Sequence, residues 1–572
     1  MTGDLGTGLA PGDTSLPDAT SPTRRNRLRG YWTQPAGLMM VTLTALALAI
    51  RLFTLTRSGY MTGVTEYDDG VYLGGAIRLL QGAIPYRDFA YVQPPGILLL
   101  MIPVALLTKI TTTTHAMAAA RLLTAAASAT AVPLAGSLVR HRGTLVTLVT
   151  CATLAIYPDD LTTAHTLILE PWMNLLTLIA VCLAFRRGRL ASPMRLTWAG
   201  VMIGAAASVK FWAGVPAFVL LVVYLLTREA DGAAGMARGR RTWRYAGGVA
   251  AGFCVPVLPF ALTAPATFVR SALLDQVTRD GTYVPRSMRL AHITGLVDFL
   301  NSRGHLTLTA GSKSLFASGG AAATPATSAG VLPYLVVLAI VIVVFAGYTL
   351  RPGRPSPLET FALVTAVIAS VLITFYSAFF YHYPDFAAPW LAIAVGGAFG
   401  VFGGAGEASA GRAGSAAAAV HRFRRGVAGF VGLAVLLLAI FEASELSSLA
   451  APDIYPDQAV IPAGACVVTD QVSMAISANR FITTRADCPD VLDSLGETLV
   501  LSNGVSDQGG AQDLPEVVDA WKSILGRAGY VWLSPNNWRR IPWTADLQAW
   551  FDANFTRVYV HGGYGEVYRR DR

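Results

Sequence analysis

Apolar runs of roughly 17 to 25 residues recur along the chain between short polar loops, the length a helix needs to cross a bilayer core about 30 Å thick. The pattern predicts spans at roughly 36–56, 115–139, 143–160, 167–185, 195–211, 213–228, 245–263, 331–350, 358–377, 384–404 and 426–446. A shorter run, residues 94–108 (PPGILLLMIPVALLT), opens with Pro94 and Pro95 and contains Pro103. It reads as a surface segment rather than another span.

Charge supports that choice. Arg140 and Arg142, then Arg186, Arg187 and Arg189, fall on one side of the membrane. So do Arg238, Arg240, Arg241 and Arg244, then Arg351 and Arg354, then Arg422, Arg424 and Arg425. The arginine-rich N-terminus joins them, which makes that side cytoplasmic. Counting 94–108 as a span would put every later arginine cluster outside.

The segments left outside are the loop 57–114, the short loop 157–167, the long loop 264–330, the turn 378–383 and the tail 447–572. Residues 1–35 read as a disordered cytoplasmic tail, with no cleavable signal evident and the first span retained as an anchor. The loop 264–330 contains a low-complexity stretch, ASGGAAATPATSAG, expected to be flexible. In the tail, strand-like CVVTD, TLVLS, YVWLS and TRVYV alternate with helix-like DLPEVVDAWKSILGRAG. The expected architecture is a polytopic α-helical membrane protein, about eleven transmembrane helices over 36–446, with a small C-terminal extracytoplasmic α/β domain.

Composition agrees: 53% of the 572 residues are hydrophobic and 14% charged, and mean hydropathy is +0.48, which excludes an ordinary soluble protein. The net charge of +9 does not argue for nucleic acid, because its arginines sit in the short loops and no recognition motif accompanies them. Cys151, Cys182 and Cys254 fall in spans and read as buried small residues. Cys466 and Cys488 fall in the tail, on the oxidising side, where a disulfide is expected against the alternative of two unpaired thiols. No Cys/His spacing resembles a zinc site.

The candidate chemistry gathers on the outer face. Glu66–Gly96 carries four carboxylates and two arginines directly after the first span. Asp68 and Asp69 open an amphipathic segment, DDGVYLGGAIRLLQG, expected to lie on the membrane surface. A carboxylate there suits a general base, or else caps the helix. Glu170, in HTLILEPWMNLL, is an ionisable residue among apolar ones at a span's outer end, a costly placement that is usually functional. Asp159 and Asp160 read as a solvated turn. Lys210, in ASVKFWAG, would bind a lipid phosphate as a point charge or snorkel to the interface. His382, in FFYHYPDFAAPW, would bind phosphate or sugar, or belongs to an interfacial aromatic belt. Arg51, inside the first span, is expected to snorkel outward. The shared sidedness suggests an anionic lipid headgroup and a polar, stackable substrate such as a sugar.

These residues resemble the GT-C glycosyltransferases, polytopic enzymes that take sugars from polyprenyl-phosphate carriers. The protein O-mannosyltransferases and lipid A aminoarabinose transferases (family 39/83 type) are the nearest patterns. They carry an acidic pair in the first outer loop with a Tyr four residues after the first acid, matched by Asp68, Asp69 and Tyr72. A Gly, then a Tyr before a Pro-rich step, are matched by Gly82, Tyr91 and Pro95; an acid followed by Pro by Glu170-Pro171; and a later Lys by Lys210. The motifs cover roughly residues 36–260. This chain departs from the aminoarabinose transferases in having Gln93-Pro94 where they carry Glu-Lys before the proline, and Glu170 where their second acid is Asp. The carrier-binding role of that Lys therefore does not transfer.

The resemblance implies a GT-C fold and an inverting transfer at the extracytoplasmic face of a bacterial plasma membrane. Asp68 would be the general base and Asp69 would orient it or the sugar, with Tyr72, Tyr91, Glu170, Lys210 and His382 binding substrate. The donor would be a polyprenyl-phosphate sugar, mannose- or arabinose-like, and the acceptor a glycan, lipid or protein. Some relatives require a divalent cation and others do not, so the sequence assigns no cofactor. Two other readings stand beside this one. A transporter or flippase for lipid-linked sugars would show mid-membrane ionisable residues and internal repeats, and no repeat is found. A non-catalytic scaffold would bind envelope glycan through the outer tail.

Overall fold

The computed structural model describes residues 35–227, 238–278, 284–297, 331–351, 354–403, 415–447, 449–454, 458–505, 510–535, 540–562 and 565–571. The N-terminal tail and the ASGGAAATPATSAG stretch lie outside the described residues. Helices stand at each of the eleven expected span positions, with two more between the first and second of them and two short ones, six and eight residues long, further on. In chain order they are α1 (Pro35–Leu55), α2 (Asp68–Leu80), α3 (Gly96–Ala105), α4 (Thr113–Val139), α5 (Thr144–Ala155), α6 (Pro158–Thr163), α7 (Leu169–Ala184), α8 (Pro193–Val209), α9 (Gly214–Leu226), α10 (Arg238–Ala261), α11 (Arg286–Ile293), α12 (Leu332–Leu350), α13 (Pro357–Phe375), α14 (Ala388–Ala398) and α15 (Ser415–Ser447).

Five helical stretches are long and apolar enough to cross a membrane: α1, Thr113–Arg142, α12, α13 and Gly426–Ser447. Shorter apolar helices pack among them, and the chain is a multi-pass membrane protein. On α12, Leu335, Leu338, Val341, Ile342 and Phe345 stay exposed, as a lipid-facing surface requires. The apolar run after Pro95 forms α3 and a 3₁₀ turn, Leu106–Lys109. That is about 21 Å of helix at about 1.5 Å per residue, short of the bilayer core.

Local signals set the helix ends. The Thr112 side chain accepts from His115 N and starts α4. Ser356 and Glu359 form a capping box at α13, satisfying two otherwise unpaired N–H groups. Glu359 also accepts from Arg142 at 2.8 Å and from Arg351 at 2.7 and 3.0 Å, while Leu358 N donates to Gly188 O. Three of the basic loops therefore meet at one end of the bundle, as the charge pattern requires.

Close packing of α8 on α10 depends on four glycines. A Cβ on Gly200 would lie 2.5 Å from Tyr245 O, on Gly204 2.2 Å from Val249 O, on Gly248 2.4 Å from Thr197 O and on Gly252 2.1 Å from Val201 O. Small residues at four-residue spacing let two backbones touch where no hydrophobic force drives helices together. Gly204→Leu is expected to cost about 1–3 kcal/mol by overpacking. A lowered melting temperature and a smaller monodisperse fraction in detergent would register it, and an unchanged melting curve would refute the close-packing argument.

The C-terminal domain is a four-stranded mixed sheet: β1 (Val467–Thr469), β2 (Tyr530–Leu533), β3 (Phe555–His561) and β4 (Gly565–Arg570), in the order β1-β2-β4-β3. β1 and β2 are parallel and the other pairs antiparallel. Its helices are α16 (Val472–Ser477), α17 (Ser494–Leu501), α18 (Pro515–Arg527) and α19 (Ala545–Asn554). The strand-like TLVLS is helical: it lies in α17, whose first turn Asp493 caps by accepting from Gly496 N at 2.9 Å. Cys466 and Cys488 are joined by a disulfide.

This domain sits on the loop between α1 and α4. Tyr67 donates to Asp493 at 2.7 Å, Arg78 pairs with Asp490 at 2.8 Å, and Thr113 and Thr114 each donate at 2.7 Å to carbonyls of Ile476 and Ser477. The expectation of α2 as a helix lying open on the membrane surface is corrected here. Residues 69–78 of α2 are all buried, covered by α16 above and α3 beside them. Gly70 permits the contact, since a Cβ there would be 2.4 Å from Ser473 N.

Candidate active site

Four distant pieces of chain converge at one end of the bundle: the start of α2, the start of α7, the break between α8 and α9, and the turn before α14. Glu170 is the second residue of α7 and is fully buried. Its Oε1 accepts from Lys210 Nζ and, at 2.8 Å, from His382 Nδ1. Its Oε2 has no partner among the described residues. Lys210 lies at the break itself, in extended backbone directly after α8. Its ammonium sits 5.0 Å from the Trp212 ring centre and 4.4 Å from that of Tyr383. These aromatic faces favour the cation, and an ammonium with three donors can hold Glu170 and still meet a second anion. His382 stacks on Phe380 and meets Tyr383 edge-on.

The two adjacent aspartates occupy different surroundings. Asp68 is partly exposed and accepts from the Tyr72 hydroxyl, one turn on, at 3.4 Å. It does not cap the helix: the N-cap is Tyr67, with no side-chain cap. Asp69 is wholly buried. It pairs with Arg121 at 2.6 Å and accepts from Ser473 at 2.7 Å, Thr166 at 3.1 Å and Thr65 at 3.3 Å. Asp69 thus ties α2, α4, the loop before α7 and the C-terminal domain together.

Sequence reasoning did not single out Glu66. Its Oε2 accepts from the Tyr381 hydroxyl at 2.6 Å and its Oε1 from Tyr67 N at 2.9 Å. Burial, then the charge of Asp68, raises its pKa from the ordinary 4.5 to about 6, against the lowering effect of the Tyr381 bond. The available signal was a glutamate two residues before Asp68 in the apolar setting Gly63-Val64-Thr65. Tyr91 is fully buried, packed edge-on against Tyr86 and Phe89, and its hydroxyl has no partner among the described residues. The charges of Asp68 and Asp493 both reach it.

Two expectations fail. Asp159 and Asp160 are not a solvated turn: both are buried in α6. Asp159 meets His292 Nδ1 at 2.8 Å, and Asp160 accepts from Ser128 and pairs with Arg51 at 2.6 Å. Arg51 does not snorkel outward. It is fully buried, donating also to Ser128 at 2.7 Å and to the Ala47 carbonyl at 2.9 Å. The carboxylate of Asp160 closes over the end of α1 and supplies the partner a guanidinium needs when buried. Among the described residues, no group of three or more His, Cys, Asp or Glu side chains could hold a metal ion.

No protein-family model matches the sequence, and no curated protein matches it. Solved structures do. ArnT from Cupriavidus metallidurans bound to undecaprenyl phosphate superposes with a TM-score of 0.58 at 15% identity, over 92% of this chain and 97% of that one. The Archaeoglobus fulgidus oligosaccharyltransferase tethered with an acceptor peptide containing the NVT sequon gives 0.53 at 11% identity, over 95% of this chain and 75% of that one. AglB from the same organism, in complex with an inhibitory peptide and a dolichol-phosphate, gives 0.52 at 14% identity, again over 95% and 75%. At these identities the likeness shows the fold, over nearly the whole of this chain.

Proposed function

We propose that this chain is a GT-C-type glycosyltransferase that moves a sugar from a polyprenyl-phosphate carrier to an acceptor hydroxyl at the extracytoplasmic face. One observation carries the reading. The buried Lys210–Glu170–His382 cluster and the partly exposed Asp68 carboxylate are linked through Tyr381 and Glu66 at one end of the bundle. The fold supports it, because structures of that fold hold undecaprenyl phosphate and dolichol-phosphate.

In this reading Asp68 takes the proton of the acceptor hydroxyl as its oxygen attacks the anomeric carbon. The bond from that carbon to the phosphate oxygen breaks with inversion, and the polyprenyl phosphate leaves as an anion. Lys210, already held and oriented by Glu170, stabilises the developing charge. The Oε2 of Glu170 and the Tyr91 hydroxyl, buried and without a partner among the described residues, are available to sugar hydroxyls. Asp69 holds the first turn of α2 so that Asp68 faces the site.

The test is transfer by the purified protein from a panel of radiolabelled polyprenyl-phosphate sugars, mannose- and arabinose-linked donors included. Product from at least one donor is expected. No transfer from any, with counterflow of the same lipids across vesicles, would favour a flippase. Lys210→Met is expected to raise the donor KM and lower kcat by about 10–100-fold in kcat/KM, the scale of losing one charge-assisted contact. Unchanged kinetics would remove Lys210 from the phosphate site.

A further inference from the structure

The proposed chemistry uses one carboxylate of the first outer loop, yet a second is held beside it. Glu66 is buried and bonded across 315 residues of sequence to Tyr381, the neighbour of the histidine that meets Glu170. Its backbone is pinned too, since Ser473 donates to the Glu66 carbonyl at 2.7 Å. Tyr381 stands edge-on to His382, with 5.4 Å between ring centres. A residue that only needed to pack here would not be a carboxylate, because an ionised group in this setting loses its hydration.

We propose that Glu66 is a positioning residue for this site: pinned to Tyr381, it fixes His382 on Glu170 and places a second carboxylate beside Asp68. This rests on Asp68 being the base. The groups facing Glu66 are Asp68, the Tyr381 hydroxyl, the Tyr67 amide and His382. Charge on Glu66 repels charge on Asp68 and so strengthens Asp68 as a proton acceptor, as paired carboxylates do.

The sign follows from the raised value near 6. Above it Glu66 is ionised and Asp68 is the stronger base; below it Glu66 holds a proton and Asp68 loses that help. Wild-type kcat/KM is therefore expected to rise through a step near pH 6. Glu66→Gln, which can still accept from Tyr381, removes the step and lowers the plateau at neutral pH by about three- to tenfold. Tyr381→Phe keeps the charge but removes a bond that favours it, so the step moves to higher pH and kcat falls as His382 loses its support.

An activity-independent measurement runs beside the kinetics. In pH-difference infrared spectra of the full chain in nanodiscs, one component of the protonated-carboxyl stretch, distinct from that of Glu497, whose pKa burial raises to about 7, should vanish through about pH 6 in wild type. It should be missing in Glu66→Gln and vanish at higher pH in Tyr381→Phe. A kinetic step near pH 6 that survives Glu66→Gln, or a wild-type-minus-Glu66→Gln spectrum with no component lost near pH 6, overturns the assignment, as does Tyr381→Phe with wild-type kinetics. Asp68→Asn separates the two failures. If it is inactive while Glu66→Gln behaves as wild type, only the role of Glu66 falls; if it is fully active, the base reading falls and the positioning role with it.

Discussion

Asp68→Asn is expected to lower kcat by about 10²–10⁴-fold, the range general bases contribute, while leaving the protein folded. The amide is nearly isosteric and its oxygen can still accept from Tyr72, whose hydroxyl bonds Asp68 Oδ2 at 3.4 Å. What disappears is the ability to take a proton. The neighbouring Asp69 cannot substitute, because four donors already occupy it and it has no exposed surface. The asymmetry is the point of the experiment: the two acids are adjacent in sequence, yet only Asp68 keeps exposed surface. Transfer rates with and without the substitution, beside matched melting curves, decide the matter. Wild-type turnover in Asp68→Asn would end the base assignment.

The helical bundle was legible because its signal is redundant. Long apolar runs, arginines in alternate loops and prolines at 94, 95 and 103 all pointed to the same eleven helices. Of the site, Glu170, Lys210 and His382 were visible as ionisable groups where ions are expensive, and the structure brings them into contact. The misses share one cause. Arg51 with Asp160, Asp159 with His292, and Glu66 with Tyr381 are pairs separated by 109, 133 and 315 residues. A charge read alone looks solvated or snorkelled, and its partner supplies the reason for its burial. The same holds for α2, whose amphipathic pattern fits a membrane surface until the C-terminal domain supplies a cover. TLVLS failed differently: its strand propensity was overridden by the Asp493 cap and by docking of the helix in the domain.

Asp69→Ala should be the most destabilising single change in the loop between α1 and α4, costing about 3–5 kcal/mol, the scale for orphaning a buried charge. Arg121 is wholly buried; among the described residues it donates, apart from Asp69, to the Tyr60 carbonyl at 3.0 Å, so losing Asp69 strands most of its donors. The substitution also removes the acceptor for Ser473, one of the bonds that seat the C-terminal domain on α2. Chemical unfolding in detergent should show the loss, and hydrogen exchange should quicken across residues 472–477. Arg121→Met added to Asp69→Ala should recover much of the stability, because it removes the stranded charge rather than restoring the pair. The same double variant weighs the proposed roles of the acidic pair. If stability returns and transfer returns in part, Asp69 acts by holding α2. If stability returns while transfer stays at the level of Asp68→Asn, Asp69 belongs to the chemistry and its role as a tie is not the whole of it.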